Sequence, residues 1–416
     1  MPSAFMAAPD RAMPQSNPVT HAAAKSLGQR VLAVDLLRGL CLVLMTIDHC
    51  PQNPFLRFSN TYFGPFGFFT SASGFVFLSG WVVGRVYGKH RERYGDTSLN
   101  RRIWGRMGKL YLAQWILILV TGVIGPPIAL HFGVAPVLAF DQIHTWKALL
   151  MAGTLLYQPD YMGVLPMYLL FLLLTPLLLR QLQTGHVWRV LTCSAIVWFL
   201  SGLFIRLNIA FNPLSYQILF VLGIVLGERR WQLDSLRPKL RAWVVPACLL
   251  LTVLFYLLRL RLADSLSSSF AEALNGPLLQ ALFSFRAMGP LRILNFAVFG
   301  VTVSWVCTKF KSVDLNHPAF QWLILLGQNS LPVFTFSVIV SALAPPFLPA
   351  NSRLALDLGM MFLAVASLTV PAFLASQVAG KLPHREISAS RTNPQYFKLT
   401  GVILTESEAI LRERQP

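Results

Sequence analysis

Charged residues are scarce in this chain, and their scarcity distinguishes a membrane protein from a soluble one. Only 12% of the 416 residues are charged, about half the fraction usual in soluble domains, while 55% are hydrophobic. No polar linker divides the chain into separate units. The composition therefore excludes a string of soluble domains and predicts a single membrane domain.

Acidic residues are rarer still: 17 Asp and Glu stand against 35 Lys and Arg, which gives a formal charge of +18. In a soluble protein this excess would suggest nucleic-acid binding. Here the basic residues lie in short loops between apolar runs, the positive-inside pattern of membrane proteins. We therefore expect contact with membrane lipids and no nucleic-acid partner.

Cysteine is sparse, and its five positions are isolated, without CxxC spacing. This distribution predicts neither a disulfide framework nor a metal site. The chain also lacks the pattern of a cleaved secretory signal, because the first apolar run is longer than a signal-peptide core and no small-residue cleavage site follows it. We expect this run to remain as the first transmembrane helix.

Long apolar runs recur along the chain, each about 18–25 residues and so able to cross a hydrocarbon core of about 30 Å. We predict an all-α polytopic bundle of about ten transmembrane helices, at residues 31–50, 62–86, 104–127, 161–180, 187–205, 211–228, 242–260, 291–308, 319–345 and 355–379. The transmembrane domain is predicted to cover residues 30–380, between a disordered tail at 1–29 and a second tail at 381–416. Residues 144–158 are predicted to be interfacial or re-entrant, and residues 264–290 to form a long loop.

The distribution of positive charge predicts the orientation. If both tails share one side, that side holds 26 of the 35 Lys and Arg residues, the opposite side holds eight, and Arg38 lies within the first helix. This asymmetry puts both termini in the cytoplasm of a bacterial inner membrane.

The first helix, RVLAVDLLRGLCLVLMTIDHC, carries four ionisable residues: Asp35, Arg38, Asp48 and His49. Charges within a span cost several kcal/mol and are usually functional. At about 100° per residue, Asp35, Arg38 and His49 share one face, and 14 residues rise about 21 Å. A coenzyme A thioester has a comparable reach, and His49 could act as general base toward an acceptor hydroxyl. The simpler alternatives are an interfacial Asp35–Arg38 pair and ordinary polar residues at a helix end.

A basic stripe enters the third predicted helix and consists of Arg101, Arg102, Arg106 and Lys109. Guanidinium groups bind phosphate in a bidentate manner, so the stripe could hold the nucleotide head of an acyl donor. No permanently bound cofactor is expected, only acyl-CoA as co-substrate. The alternative is that these cations serve topology and lipid contact.

Polar residues beside aromatic ones interrupt three apolar stretches, and four of them are candidates for lining an acceptor or donor tunnel: Asn212, Gln217, Asn329 and Ser330. Such interruptions are tolerated where the backbone lines a cavity or is covered by protein, so a packing role is the alternative. Small residues of the second helix, Gly80 among them, predict close helix packing.

Taken in order, these segments resemble the OpgC family of membrane acyltransferases. The matching pieces are RVLAVDLLRG with DHC, GFVFLSG, LNRRIWGRMGKLYLAQW, VLPMYLL, FNPLSYQILFVLG and LGQNSLPVF, over residues 28–340. The family in turn resembles the broad acyltransferase-three superfamily. The resemblance implies ten helices, a cytoplasmic succinyl- or acetyl-CoA donor and a periplasmic or surface glycan acceptor. It also implies His49 as the catalytic histidine and Asp35, Arg38, Arg102 and Arg106 as site or donor-binding residues.

Two other functions fit the charged first helix: secondary transport or export of a glycan or lipid, and a non-catalytic scaffold in glucan synthesis. Neither needs a nucleotide-phosphate clamp, so the basic stripe favours the transferase.

Overall fold

The structure is a computed structural model that describes most of the predicted membrane domain. The described residues are 18–49, 67–124, 162–203, 212–229, 237–264, 288–309, 317–343 and 354–378, together with isolated positions between them. This part of the chain is helical and contains no strand, which agrees with the all-α prediction. Most of residues 144–158 and 264–290, and all of the predicted tail at 381–416, lie outside the described residues.

Eleven α-helices, numbered in chain order, make up the described fold: α1 Pro18–His49, α2 Ser71–Leu119, α3 Val164–Gln183, α4 Val187–Leu203, α5 Pro213–Glu228, α6 Pro238–Asp264, α7 Pro290–Lys309, α8 Pro318–Gln328, α9 Ser330–Leu343, α10 Leu354–Ser367 and α11 Thr369–Val378. A π-helical segment, Val120–Ile124, extends α2. Several helices begin at proline, whose missing N–H costs nothing in the first turn. The start of α1 at Pro18 lies inside the segment predicted as the N-terminal tail.

The second and third predicted spans are joined in α2, which continues through the intervening polar segment. The break between them is at Gly95, whose φ of 78° and ψ of −178° are not helical. These angles fall in a region that is almost restricted to glycine. The two predicted spans correspond to two arms of α2, residues 71–94 and 96–119, which meet at this glycine.

The predicted span at 319–345 is also interrupted. Its two parts, α8 and α9, are bent by 93° at Asn329. Asn329 has φ −104° and ψ 37°, and its side-chain amide donates to the Leu325 carbonyl at 3.0 Å, so it ends α8. A break inside an apolar segment leaves backbone groups of both helix ends to be satisfied by other parts of the protein.

Four described helical segments are long and apolar enough to cross a membrane: Val164–Gln183, Pro238–Leu258, Pro290–Thr308 and Ala355–Val378. The bent α8–α9 pair makes five if it is one span. The first helix is not among them, because its apolar run carries Asp35, Arg38 and Asp48. These helices indicate a membrane protein, while the number ten and the position of the termini stay predictions.

Glycines bring α2 and α5 into backbone contact at the centre of the fold. A Cβ added to Gly80 would lie 2.2 Å from the Phe220 carbonyl oxygen, and one added to Gly223 would lie 2.3 Å from the Phe77 carbonyl oxygen. The predicted close packing at Gly80 is therefore confirmed. On the α3 side the Phe171 and Phe220 rings stack with centroids 5.0 Å apart.

Candidate active site

The first half of the polar face on α1 is enclosed by other helices. Asp35 and Arg38 approach to 3.9 Å, and their side chains are only 14% and 12% exposed. The Arg38 guanidinium donates to Ser330 Oγ at 2.5 Å and lies 5.6 Å from the centre of the Phe75 ring. The Gln328 side chain hydrogen-bonds to the Asp35 carboxylate. An ion pair within α1 is thus held by α2, α8 and α9.

Two glycines bring α1 and α8 close enough for these contacts. A Cβ on Gly39 would lie 1.9 Å from the Leu323 carbonyl oxygen, and a Cβ on Gly327 would lie 1.8 Å from the Asp35 carbonyl oxygen. No other residue type allows this approach of two backbones. The crossing places the break at Asn329 beside the ion pair, and Ser330 therefore reaches Arg38.

The basic stripe divides between buried and exposed positions. Arg106 is half-buried and near enough to Arg38 for the two charges to interact. Arg102 is also half-buried, and its guanidinium donates to Nδ1 of His90 at 3.0 Å. Arg101 and Lys109 are exposed. The structure therefore brings Arg106 to the ion pair on α1 and leaves Arg101 and Lys109 on the outside.

Asp48 and His49 lie at the C-terminal end of α1, whereas Asp35 and Arg38 lie near its middle. Ser71, in the first turn of α2, donates to the Asp48 carboxylate at 2.9 Å. His49 is half-buried and is the last residue of α1. Among the described residues, no group of three or more His, Cys, Asp and Glu side chains could hold a metal ion. The end of α1 therefore offers an imidazole and a hydrogen-bonded carboxylate, side by side in the sequence.

Three of the four predicted tunnel residues make contacts within and between helices. Asn212 caps α5 by accepting from the Leu214 N–H at 3.0 Å and donates to Ser201 Oγ at 2.9 Å. Gln217 exchanges two hydrogen bonds of 2.7 Å with Ser194 on α4. Asn329 ends α8, as described above. Only Ser330 contacts another predicted site residue directly, because it accepts from Arg38.

The family model described as OpgC protein matches residues 30–380 of the chain. The chain belongs to the OpgC family. Neither the comparison with curated proteins nor the comparison with solved structures gave a match. Family membership and the apolar helices together indicate a membrane acyltransferase that modifies a glucan. The further relation to the acyltransferase-three superfamily stays a prediction.

Several neighbours of the site in this OpgC-family chain escaped the sequence analysis. Phe75 and Gln328 touch the ion pair, and Tyr168 is near enough to Arg38 to interact electrostatically. Gln328 stands next to Asn329 in the interrupted LGQNS stretch, which is the signal that could have found it. Phe75 and Tyr168 lie in apolar sequence and carry no such signal.

A second missed group lies behind the first turn of α2. Tyr216 is fully buried, hydrogen-bonds to Ser73 and lies close to Arg292, which is only 6% exposed. Arg292 lies inside the predicted span at 291–308, in the first turn of α7, and was not among the predicted site residues. Burial of an arginine is costly in a membrane protein. Tyr216, Ser73 and Arg292 therefore form a second buried polar group, besides the ion pair on α1.

Proposed function

We propose that this OpgC-family protein is an O-acyltransferase of the bacterial inner membrane. It moves a succinyl or acetyl group from cytoplasmic acyl-CoA to a glucan hydroxyl on the periplasmic side, with ten spans, cytoplasmic termini and lipid around the bundle. One observation carries the proposal: a single helix joins the enclosed Arg38 to His49, over about 17 Å of rise. An extended donor that lies along this helix can contact Arg38 at one point and His49 at another.

In this proposal the acyl-CoA donor is bound beside Arg38. Arg102 and Arg106 bind its phosphates through charge-assisted hydrogen bonds, and the exposed Arg101 and Lys109 add long-range attraction. Arg38 lies deeper, and its Nε is buried without a hydrogen-bond partner among the described residues. That N–H is available to a polar atom of the pantetheine arm, which would restore the lost hydrogen bond.

The transfer takes place at the His49 end. The His49 imidazole accepts the proton of the glucan hydroxyl while the hydroxyl oxygen attacks the thioester carbonyl carbon. The carbon–sulfur bond then breaks, and the coenzyme A thiolate leaves and receives the proton from His49. The products are a glucan ester and free coenzyme A. Asp48, hydrogen-bonded to Ser71, orients the neighbouring imidazole and stabilises its cationic form.

The decisive variant is His49→Ala, assayed by mass spectrometry of glucans from cells that carry each form of the gene. Removing a general base costs about 10²–10⁴-fold in rate, so glucan acylation should fall below detection while binding of acyl-CoA to purified protein is retained. The matched control is His186→Ala, because His186 stands between α3 and α4 and its imidazole hydrogen-bonds to Thr184 in its own turn. Acylation above about a tenth of wild type in His49→Ala would refute the general base.

Binding of acyl-CoA separates the transferase from its alternatives. An exporter of glycan or lipid and a scaffold of glucan synthesis have no use for a coenzyme A thioester. Purified wild-type protein that binds no acyl-CoA, and cells whose glucans carry the same ester with and without the gene, would reject the proposed function as a whole.

A further inference from the structure

His90 and Arg102 face each other across the break in α2. In a continuous helix, 12 residues would separate their Cα atoms by about 18 Å. In the structure the Arg102 guanidinium is 3.0 Å from His90 Nδ1, and His90 Nε2 is 2.9 Å from Ser98 Oγ. The turn at Gly95 therefore folds the second arm of α2 back along the first, with His90 between Ser98 and Arg102.

Further contacts fix this turn in one geometry. Arg91 pairs with Asp96 across the break and donates to the Gln183 side chain at the end of α3. Gln183 in turn donates to the Gly88 carbonyl at 3.0 Å. The first arm of the turn is tied to α3 and the second arm is tied to the first through Asp96, so His90 and Arg102 are held in register by contacts that involve neither of them.

The partners of His90 assign its protonation. A guanidinium can only donate, so Nδ1 must be the acceptor and Nε2 must carry the proton that is donated to Ser98. His90 is therefore neutral in this arrangement. Burial lowers the pKa of His90, and the positive charge of Arg102 lowers it further. A protonated imidazole would present a second N–H to a guanidinium, which is both a lost hydrogen bond and a like-charge contact.

The surroundings of His90 determine how it responds to pH. On α2 itself, Arg102 faces the imidazole, the Tyr94 ring lies 4.8 Å from it, and Arg91 and Asp96 pair with each other nearby. From the neighbouring helices the charged groups at this turn are Arg180 of α3, which interacts with Asp96, and Glu228 of α5, beside Gly88. Asp96 and Glu228 are each already close to an arginine, Arg91 and Arg229. Arg102 thus dominates the field at the imidazole.

We propose that His90 is a positioning residue that holds Arg102, through its neutral Nδ1, in the place where it binds the phosphates of the acyl donor. The inference rests on the proposed function, which makes Arg102 a donor ligand. The stack of Arg102 on the Tyr87 ring, 6.0 Å from its centre, fixes the same guanidinium from a second direction. Protonation of His90 releases Arg102, so donor affinity falls only as the pH drops through the lowered pKa of His90, which lies below the ordinary histidine value of about 6.5.

The test is equilibrium binding of coenzyme A to purified full-length protein between pH 8 and pH 5, with wild type and two variants of His90. His90→Phe removes the acceptor, and His90→Asn keeps an acceptor at the Nδ1 position but does not titrate. One lost charge-assisted hydrogen bond corresponds to about tenfold in Kd. We expect His90→Phe to bind about tenfold more weakly at every pH, and wild type to weaken only at low pH. We expect His90→Asn to bind like wild type at pH 8 and more tightly than wild type at pH 5.

The phosphates of coenzyme A titrate identically in all of these measurements, so the difference between wild type and His90→Asn reports the imidazole alone. In an Arg102→Gln background, His90→Phe should have no further effect, whereas a merely structural role would weaken binding again. Equal Kd values for wild type, His90→Phe and His90→Asn at both pH extremes would overturn the positioning role while leaving the proposed function intact. No binding by wild type at any pH would overturn both.

Discussion

The crossing of α1 and α8 can be tested by adding one methyl group. Gly39→Ala places a Cβ 1.9 Å from the carbonyl oxygen and 2.8 Å from the carbonyl carbon of Leu323. Both atoms belong to the α8 backbone, so no side chain can rotate away. The two helices must separate, and Ser330, which follows α8 directly, moves with them.

The size of the effect follows from these distances. Ordinary contact between non-bonded carbon atoms begins near 3.5 Å, so relief of the clash requires a shift of about 1.5 Å. Such a shift lengthens the 2.5 Å bond between Arg38 and Ser330 beyond hydrogen-bonding range. Overpacking of this kind costs about 1–3 kcal/mol, and a misplacement of about 1 Å caused by a mutation far from the chemistry can cost about 10²-fold in rate.

We expect Gly39→Ala to lower glucan acylation about a hundredfold and to lower the midpoint of thermal unfolding in detergent. The control is Gly359→Ala on α10, where an added Cβ meets nothing within 4 Å. Acylation and thermal stability of Gly39→Ala that match those of Gly359→Ala would show that the two backbones are not in contact and would refute the geometry of the site.

Two further predictions concern the turn in α2 and the orientation of the chain. Gly95→Ala should destabilise the protein by about 1–3 kcal/mol, because its backbone conformation is almost restricted to glycine. Gly108→Ala, in a helical and open position, should be neutral or stabilising. Thermal unfolding of the two variants measures this difference in stability. Equal stability of Gly95→Ala and Gly108→Ala would contradict the prediction. Reporter fusions at about residues 95 and 235 should report cytoplasm, and fusions near residues 135 and 270 should report periplasm. The reverse pattern would reject the proposed topology.

Helix positions could be predicted from the sequence where apolar runs end at proline or at polar residues. The span predicted at 187–205 is α4, Val187–Leu203, and the span at 291–308 is α7, Pro290–Lys309. Hydropathy reports where a chain is apolar and carries no information on where the backbone stays helical. Hydropathy therefore predicted two separate spans where the structure has the two arms of α2. The polar segment that connects these arms is helical on both sides of Gly95.

The break at Asn329 shows a second limit of sequence patterns. The residues around it are apolar enough for one continuous span, and the bend is stabilised by contacts with α1. Within α1, the i, i+3 spacing of Asp35 and Arg38 was sufficient to anticipate their pairing. The contact between Arg38 and Ser330 was not predictable, because helical periodicity relates only residues that share a helix.

The bond between Arg38 and Ser330 also has a consequence for biosynthesis. The two residues are 292 positions apart, and a ribosome adds about 5–20 residues per second. Arg38 is therefore added to the chain about 15–60 s before Ser330. During that interval Arg38 lacks its final hydrogen bond, and in the proposed topology, in which α1 is a span, such a charged side chain costs several kcal/mol. Arg38 thus reaches its final hydrogen bond only after residue 330 of the 416 has been synthesised.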